Sequence, residues 1–225
     1  MSTVRLLPWI ALAAACPSPA IAADLSGDVG LVSDYRYRGI SLSGNRPALQ
    51  ASATLEHDSG VYVNGWASTV DGPLPKARTE VDLTAGYETD LGSGISLDLS
   101  GTWYLYPSNT EPDYVEASAI LGTSVGQASA SLGASIAPSQ SGTGHHGNFY
   151  LFAEAAYEMR DTPVTFTARL GRERGWFDEV ENGGKWDWSV SAEARIAPAR
   201  IGLSYAGCNV AGERARLVGS LFFDF

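Results

Sequence analysis

Lysine is almost missing from this sequence. It occurs only at Lys76 and Lys185, and the formal net charge over 225 residues is −10. Nucleic-acid binding rests on neutralising phosphates with Lys and Arg, so this balance excludes that class of partner. Long apolar runs are missing too. Beyond the N-terminal segment no stretch approaches the roughly 18 residues a membrane-crossing helix needs. Histidine is confined to His57, His145 and His146, which leaves little material for a nucleophile–base pair. Cysteine occurs at Cys16 and Cys208. Once an N-terminal leader is removed, Cys208 stands alone and no internal disulfide can form; it reads as a small apolar residue near a strand end. Charged residues make up 18%, and mean hydropathy is −0.05. Such a chain is too apolar to be disordered and too polar to be a helical membrane protein.

The N-terminus has the layout of an export signal. A positive charge at Arg5 precedes the apolar run Leu6–Ala15, Pro17 and Pro19 break it, and Ala20-Ile21-Ala22 supplies a small-x-small cleavage pattern. Residues 1–22 are expected to be a cleaved Sec signal peptide, with cleavage after Ala22 or Ala23, and 23–225 a single domain. Lipidation at Cys16 is the rival, though Ala13 is a poor match to the Leu usual three positions before a lipidated Cys.

What is abundant is glycine, at 25 residues, with 23 aromatics. From Leu25 onward the chain alternates with period 2. Ile95, Leu97, Leu99, Gly101, Trp103 and Leu105 oppose Ser96, Asp98, Ser100, Thr102, Tyr104 and Tyr106. Trp186, Trp188, Val190, Ala192, Ala194 and Ile196 oppose Asp187, Ser189, Ser191, Glu193 and Arg195. A helix would repeat its apolar residues every three to four positions.

About twelve strands follow, near 25–37, 47–57, 61–70, 78–89, 94–106, 113–125, 128–137, 148–159, 163–172, 186–197, 200–208 and 214–225. Their connections alternate in length. Tight turns at 58–60, 90–93, 126–127, 161–162 and 198–199 carry Gly, Asp and Pro. Longer polar stretches occupy 38–46, 71–77, 107–112, 138–147, 173–185 and 209–213. Short turns at one end and long loops at the other predict an all-β fold: one transmembrane antiparallel up-and-down β-barrel with short periplasmic turns and longer extracellular loops.

Closure follows from hydrogen bonding, since an open sheet edge in hydrocarbon leaves backbone groups unpaired. The apolar set is then expected to face lipid and the polar set the lumen. A soluble sandwich or lipocalin would reverse this, and alternation alone does not separate the two. Three features favour the membrane. The apolar faces of nearly every strand lack charge. Aromatics cluster at strand ends, with Tyr35, Tyr37, Trp103, Trp186 and Trp188 toward the long loops and Tyr62, Tyr87, Tyr157, Phe223 and Phe225 toward the short turns. The C-terminal run places Leu217, Leu221, Phe223 and Phe225 on one face and resembles the signal that the outer-membrane barrel-assembly machinery recognises. The expected location is therefore the bacterial outer membrane, with its lipid and that machinery as partners.

The stretch Ser33-Asp34-Tyr35-Arg36-Tyr37-Arg38-Gly39-Ile40-Ser41-Leu42-Ser43, with Pro47-Ala48-Leu49-Gln50, resembles the opening of the proteobacterial Gcw_chp family, also labelled TorF-type putative porins. Gly60-Val61-Tyr62, Gly65-Trp66-Ala67-Ser68, Glu80-Val81-Asp82-Leu83, Gly86-Tyr87 and Asp113-Tyr114 extend the similarity over most of the chain. The resemblance implies a porin-like barrel. It assigns no solute, because the family is functionally uncharacterised. Residues 139–147 and 174–184 fall outside it.

The expected function is passive passage of small hydrophilic solutes, without cofactor or metal. Asp34, Arg36 and Arg38 alternate and are expected to line the mouth, either as a selecting constriction or paired with luminal acids such as Glu80, Asp82, Glu116 or Glu154. Arg169, Asp187, Glu193 and Arg195 are the other pore-lining candidates. Inward acids, which also include Asp28, Glu88, Asp98 and Glu158, outnumber inward arginines, of which Arg216 is the remaining one. A water-filled lumen should therefore favour cations. Two other readings stay open. Inward Tyr104, Tyr106, Tyr114, Tyr150 and Phe222 could plug a non-conducting structural barrel. An outer-membrane enzyme would need a His on a rigid strand, whereas His57 sits at a short turn, and His145 and His146 lie in a loop with Ser139 and Ser141. That loop reads as solvated, since adjacent histidines do not easily share one ion.

Overall fold

A computed structural model describes residues 23–71, 78–107, 113–180 and 183–225. Its strands are β1 (Ala23–Val32), β2 (Arg36–Tyr37), β3 (Ile40–Ser41), β4 (Ala48–His57), β5 (Val61–Thr69), β6 (Thr79–Gly92) and β7 (Ile95–Leu105). They continue as β8 (Tyr114–Val125), β9 (Ala128–Ala137), β10 (Asn148–Glu158), β11 (Val164–Gly175), β12 (Lys185–Ile196), β13 (Ala199–Cys208) and β14 (Arg216–Asp224). One 3-10 turn, Ser141–Thr143, lies between β9 and β10. No helix among the described residues is long and apolar enough to cross a membrane. The signal-peptide assignment falls on residues 1–22, outside the described residues.

Twelve strands, β1 and β4 to β14, pair antiparallel with their chain neighbours, and β1 pairs with β14 to close the barrel. This is the architecture expected from the alternation. Barrel strands run from 9 to 14 residues, longer than the five or six usual in globular sheets. Short turns join β4–β5, β6–β7, β8–β9, β10–β11 and β12–β13 at one end, where both chain termini of the barrel also lie. The turn at Gly60 needs glycine: its φ is +87°, and a Cβ there would overlap the carbonyl oxygen of Glu88. At the seam, Phe225 and Gly27 exchange both backbone hydrogen bonds at 3.0 Å. The C-terminal aromatic therefore completes the ladder that removes the sheet edge.

The distribution of side chains is inverted relative to a water-soluble barrel. Val190 is 58% exposed and Leu99 45% exposed on the outer surface, whereas their chain neighbours Ser189 and Ser100 line the interior. Trp103 and Trp186 project outward near the long loops, and Tyr87, Tyr157, Phe223 and Phe225 project outward near the short turns. Three expected girdle positions are corrected. Tyr35 lies in a buried internal cluster with Tyr37 packed on it. Tyr62 points into the lumen, where its hydroxyl donates to Asp98 at 2.7 Å.

Strand ends are corrected as well. β1 stops at Val32 rather than running to Tyr37. After Ser33 donates its N–H to Gly219 O at 2.8 Å, the chain leaves the wall and forms the β2–β3 hairpin. β11 extends to Gly175 and β12 starts at Lys185, so Glu173 and Lys185 are paired wall residues rather than loop residues.

Candidate functional site: the barrel lumen

The first long connection, residues 33–47, folds down into the barrel. Asp34 braces it internally: its carboxylate accepts from Arg36 Nε at 2.7 Å and Ser41 Oγ at 2.6 Å. Arg36 in turn donates to Gly39 O at 2.7 Å and Asn45 Oδ1 at 3.1 Å. The guanidinium fork thereby joins three points of one loop. At the tip, Arg38 (φ +46°) and Gly39 (φ +83°) both adopt left-handed backbone. A Cβ on Gly39 would meet the carbonyl oxygen of Gly207, so only glycine lets the tip lie against the β13 wall.

Arg38 spans the lumen. It donates to Glu116 on β8 and to Glu173 on β11, each at 2.5 Å. Its guanidinium also lies 4.0 Å from the Tyr150 ring centroid and 4.8 Å from that of Tyr37. Glu173 is fully buried and is shared with Lys185 Nζ at 2.5 Å and Asn148 Nδ2 at 2.9 Å. Charges this buried are tolerated only when paired and hydrogen-bonded. Aromatics complete the seat: Tyr35 rests on Trp66 with centroids 5.2 Å apart. Tyr37 shares a 3.0 Å hydroxyl–hydroxyl hydrogen bond with Tyr104, and Tyr104 stacks on Tyr114 at 4.5 Å. Phe177, from the connection after β11, packs against Tyr114 at 4.9 Å.

Below this loop the lumen wall is rich in hydroxyls. A cavity of about 660 Å³ adjoins the loop and is lined by Ser100, Ser118, Ser135, Ser189, Ser204 and Ser220, together with Phe152 and Arg169. Arg169 lies over the Phe152 ring at 3.7 Å and pairs with Glu154 at 3.4 Å. The aromatic wall fits because glycines face it from the neighbouring strands: Gly133 lies under Phe152 and Gly171 under Tyr150. Nearer the short turns, a second cavity of about 520 Å³ is lined by Glu56, Glu88, Asp90, Glu154 and several serines. Glu56, Glu88 and Asp90 form no ion pair among the described residues.

A family model described as a bacterial protein of unknown function, Gcw_chp, matches residues 15–218. The chain belongs to the Gcw_chp family. No curated protein matches this Gcw_chp chain in sequence. Solved structures match its fold. The KdgM porin in complex with disordered oligogalacturonate superposes with TM-score 0.63 at 10% identity, covering 89% of this chain and 99% of that one. The NanC porin gives TM-score 0.57 at 9% identity, with 89% and 98% covered. The COG4313 outer membrane channel from Pseudomonas putida F1 gives 0.54 at 10%, with 89% and 94% covered. At these identities the likeness concerns the fold.

The candidate residues of this Gcw_chp barrel separate into groups. Asp34, Arg36 and Arg38 do not share a strand face, as alternation suggested, but sit on the inserted loop. Glu116 receives Arg38. Glu80 is buried and accepts from Tyr106 at 2.8 Å, with Asp82 next to it on the luminal face of β6. Asp187 accepts from Tyr150 at 3.0 Å. Glu193 faces Arg200 at 3.5 Å and Arg195 at 3.8 Å near the short turns. Leu221, Phe223 and Phe225 face outward at the closing strand. Sequence reasoning missed Glu173, Lys185 and Arg200. Arg200 bridges Asp28 at 2.9 Å and Asp224 at 2.7 Å across the seam. Its position in the alternation would have revealed it. His57 and Ser59 share a 2.8 Å hydrogen bond, but in an exposed turn outside the lumen.

Proposed function

We propose that this Gcw_chp protein is an outer-membrane channel for passive passage of small hydrophilic solutes, with a preference for cations. The observation that carries the proposal is the luminal charge pattern. Near the inserted loop, Arg36, Arg38, Lys185 and Arg169 are each paired with a carboxylate. Toward the short turns, Glu56, Glu88 and Asp90 face the cavity without a cationic partner among the described residues. A water-filled path through unpaired acids concentrates cations and repels anions. A carboxylate polymer such as the oligogalacturonate of the KdgM complex would meet like charge here. The outward apolar surface and the fold likeness to porins support placement in the outer membrane, inserted with its lipids as solvent and through the barrel-assembly machinery.

The test is planar-bilayer conductance of the refolded barrel, with reversal potential measured across a potassium chloride gradient. The expected result is a cation-selective conductance. A conducting barrel that prefers anions would refute the charge argument. One observation favours a second reading, a non-conducting structural barrel: the inserted loop and its aromatic seat fill the long-loop half of the lumen. Silence of the wild-type protein in bilayers would establish that reading instead.

A further inference from the structure

The outer face of the twelve strands is almost free of formal charge. Its two exceptions are Arg172 and Arg174, which point outward on β11 in alternation with the inward residues Gly171 and Glu173. Both lie at the long-loop end. Arg172 is opposite Leu151 on β10 and Trp186 on β12. Its guanidinium lies 4.7 Å from the Trp186 ring centroid and donates to Gly183 O at 2.8 Å. Arg174 is opposite Phe149, is exposed, and has no hydrogen-bond or ion-pair partner among the described residues. The nearby acid Asp178 is turned to the backbone N–H groups of Gly175 and Val180; Glu179 follows it in the same loop.

An outward arginine is costly at the centre of a bilayer and close to neutral at its interface. Two of them on one strand, framed by exposed Phe149, Leu151 and Trp186, fix the level at which headgroups meet the wall. Guanidinium groups bind phosphate through forked, charge-assisted hydrogen bonds, and the aliphatic stems can lie along the apolar surface while the heads reach the polar layer. We infer that Arg172 and Arg174 form a docking site on the outer wall for the phosphate of an outer-leaflet lipid. This rests on the proposed membrane placement. It does not depend on whether the lumen conducts, because both side chains point away from it.

Native mass spectrometry of the detergent-solubilised barrel with added phosphatidic acid or phosphatidylcholine tests the site. Each cation at an anionic lipid surface is worth about fivefold in affinity. R174Q should therefore lose about fivefold toward phosphatidic acid and the R172Q/R174Q double variant about 25-fold, with a smaller loss toward phosphatidylcholine, whose choline offsets the phosphate charge. Among the described residues Arg174 has no side-chain partner to lose, so R174Q decides the matter if the double variant folds poorly. Retention of wild-type phosphatidic acid affinity in R174Q would overturn the inference. So would displacement of the lipid by equimolar inorganic phosphate, which would indicate a site for free phosphate. A barrel that never inserts into bilayers would instead sink the membrane reading. Wild-type conductance with unaltered lipid affinity in R174Q would sink the lipid site alone.

Discussion

Arg38 holds the long-loop half of the lumen in its observed state. It neutralises two carboxylates from separate strands, β8 and β11, and one of them, Glu173, is fully buried. Removing one partner of a buried network leaves charge unpaired and costs about 3–5 kcal/mol. In Arg38→Ala that cost falls on the docked loop, because Glu173 keeps Lys185 and Glu116 can be rehydrated once the loop departs. The barrel should stay folded while the loop leaves the lumen, so single-channel conductance should rise several-fold. Equal conductance in wild type and Arg38→Ala would show that the loop does not control the path. Glu56 and Glu88 act differently. Among the described residues they have no ion-pair partner, so Glu56→Gln with Glu88→Gln should leave folding unchanged. The reversal potential in a salt gradient should move toward zero as the vestibule loses two negative charges. A potential that stays put would place selectivity elsewhere.

At the level of elements, the barrel strands were legible and the inserted loop was not, for one reason. Alternation records which way side chains point but not what the backbone pairs with. Asp34, Arg36 and Arg38 continue the alternation of β1, so a strand to Tyr37 is the natural reading of the sequence. The break comes from tertiary facts: β4 begins at Ala48, opposite Val32, and offers no ladder above it, and the backbone turns left-handed at Arg38 and Gly39. The Gly39 signal was present, since glycine after an alternating run marks a turn. The opposite error occurred at Glu173. Charge on both faces, with Arg172 and Arg174 outward and Glu173 inward, disguised wall as loop. Gly39 gives the element-level test. A β-branched residue in left-handed backbone costs at least about 1–2 kcal/mol, before the collision with Gly207. Gly39→Val should therefore release the loop as Arg38→Ala does without changing any charge in the sequence, and conductance should rise. If conductance rises only in Arg38→Ala, charge removal rather than loop release explains that variant.

For the whole molecule, the governing fact is the direction of the alternation. The same period-2 pattern would fold as a soluble barrel if the apolar set turned inward, and here it turns outward on all twelve strands. Such a surface is stable only against hydrocarbon, where backbone pairing must be complete; the Phe225–Gly27 seam supplies the last pairs. Two neighbouring substitutions on β12 separate the faces. Val190 projects outward midway along its strand, and Ser191 lines the lumen beside Ser204. An arginine on the lipid face near the bilayer midplane costs about 2–4 kcal/mol, whereas one in an aqueous lumen stays hydrated. Val190→Arg should lower folding stability in phosphatidylcholine vesicles by that amount, read from reversible urea titrations. Ser191→Arg should fold within experimental error of wild type and instead weaken cation selectivity. If Ser191→Arg were the more damaging of the two, the polar face would be the buried one and the barrel would not be a membrane channel.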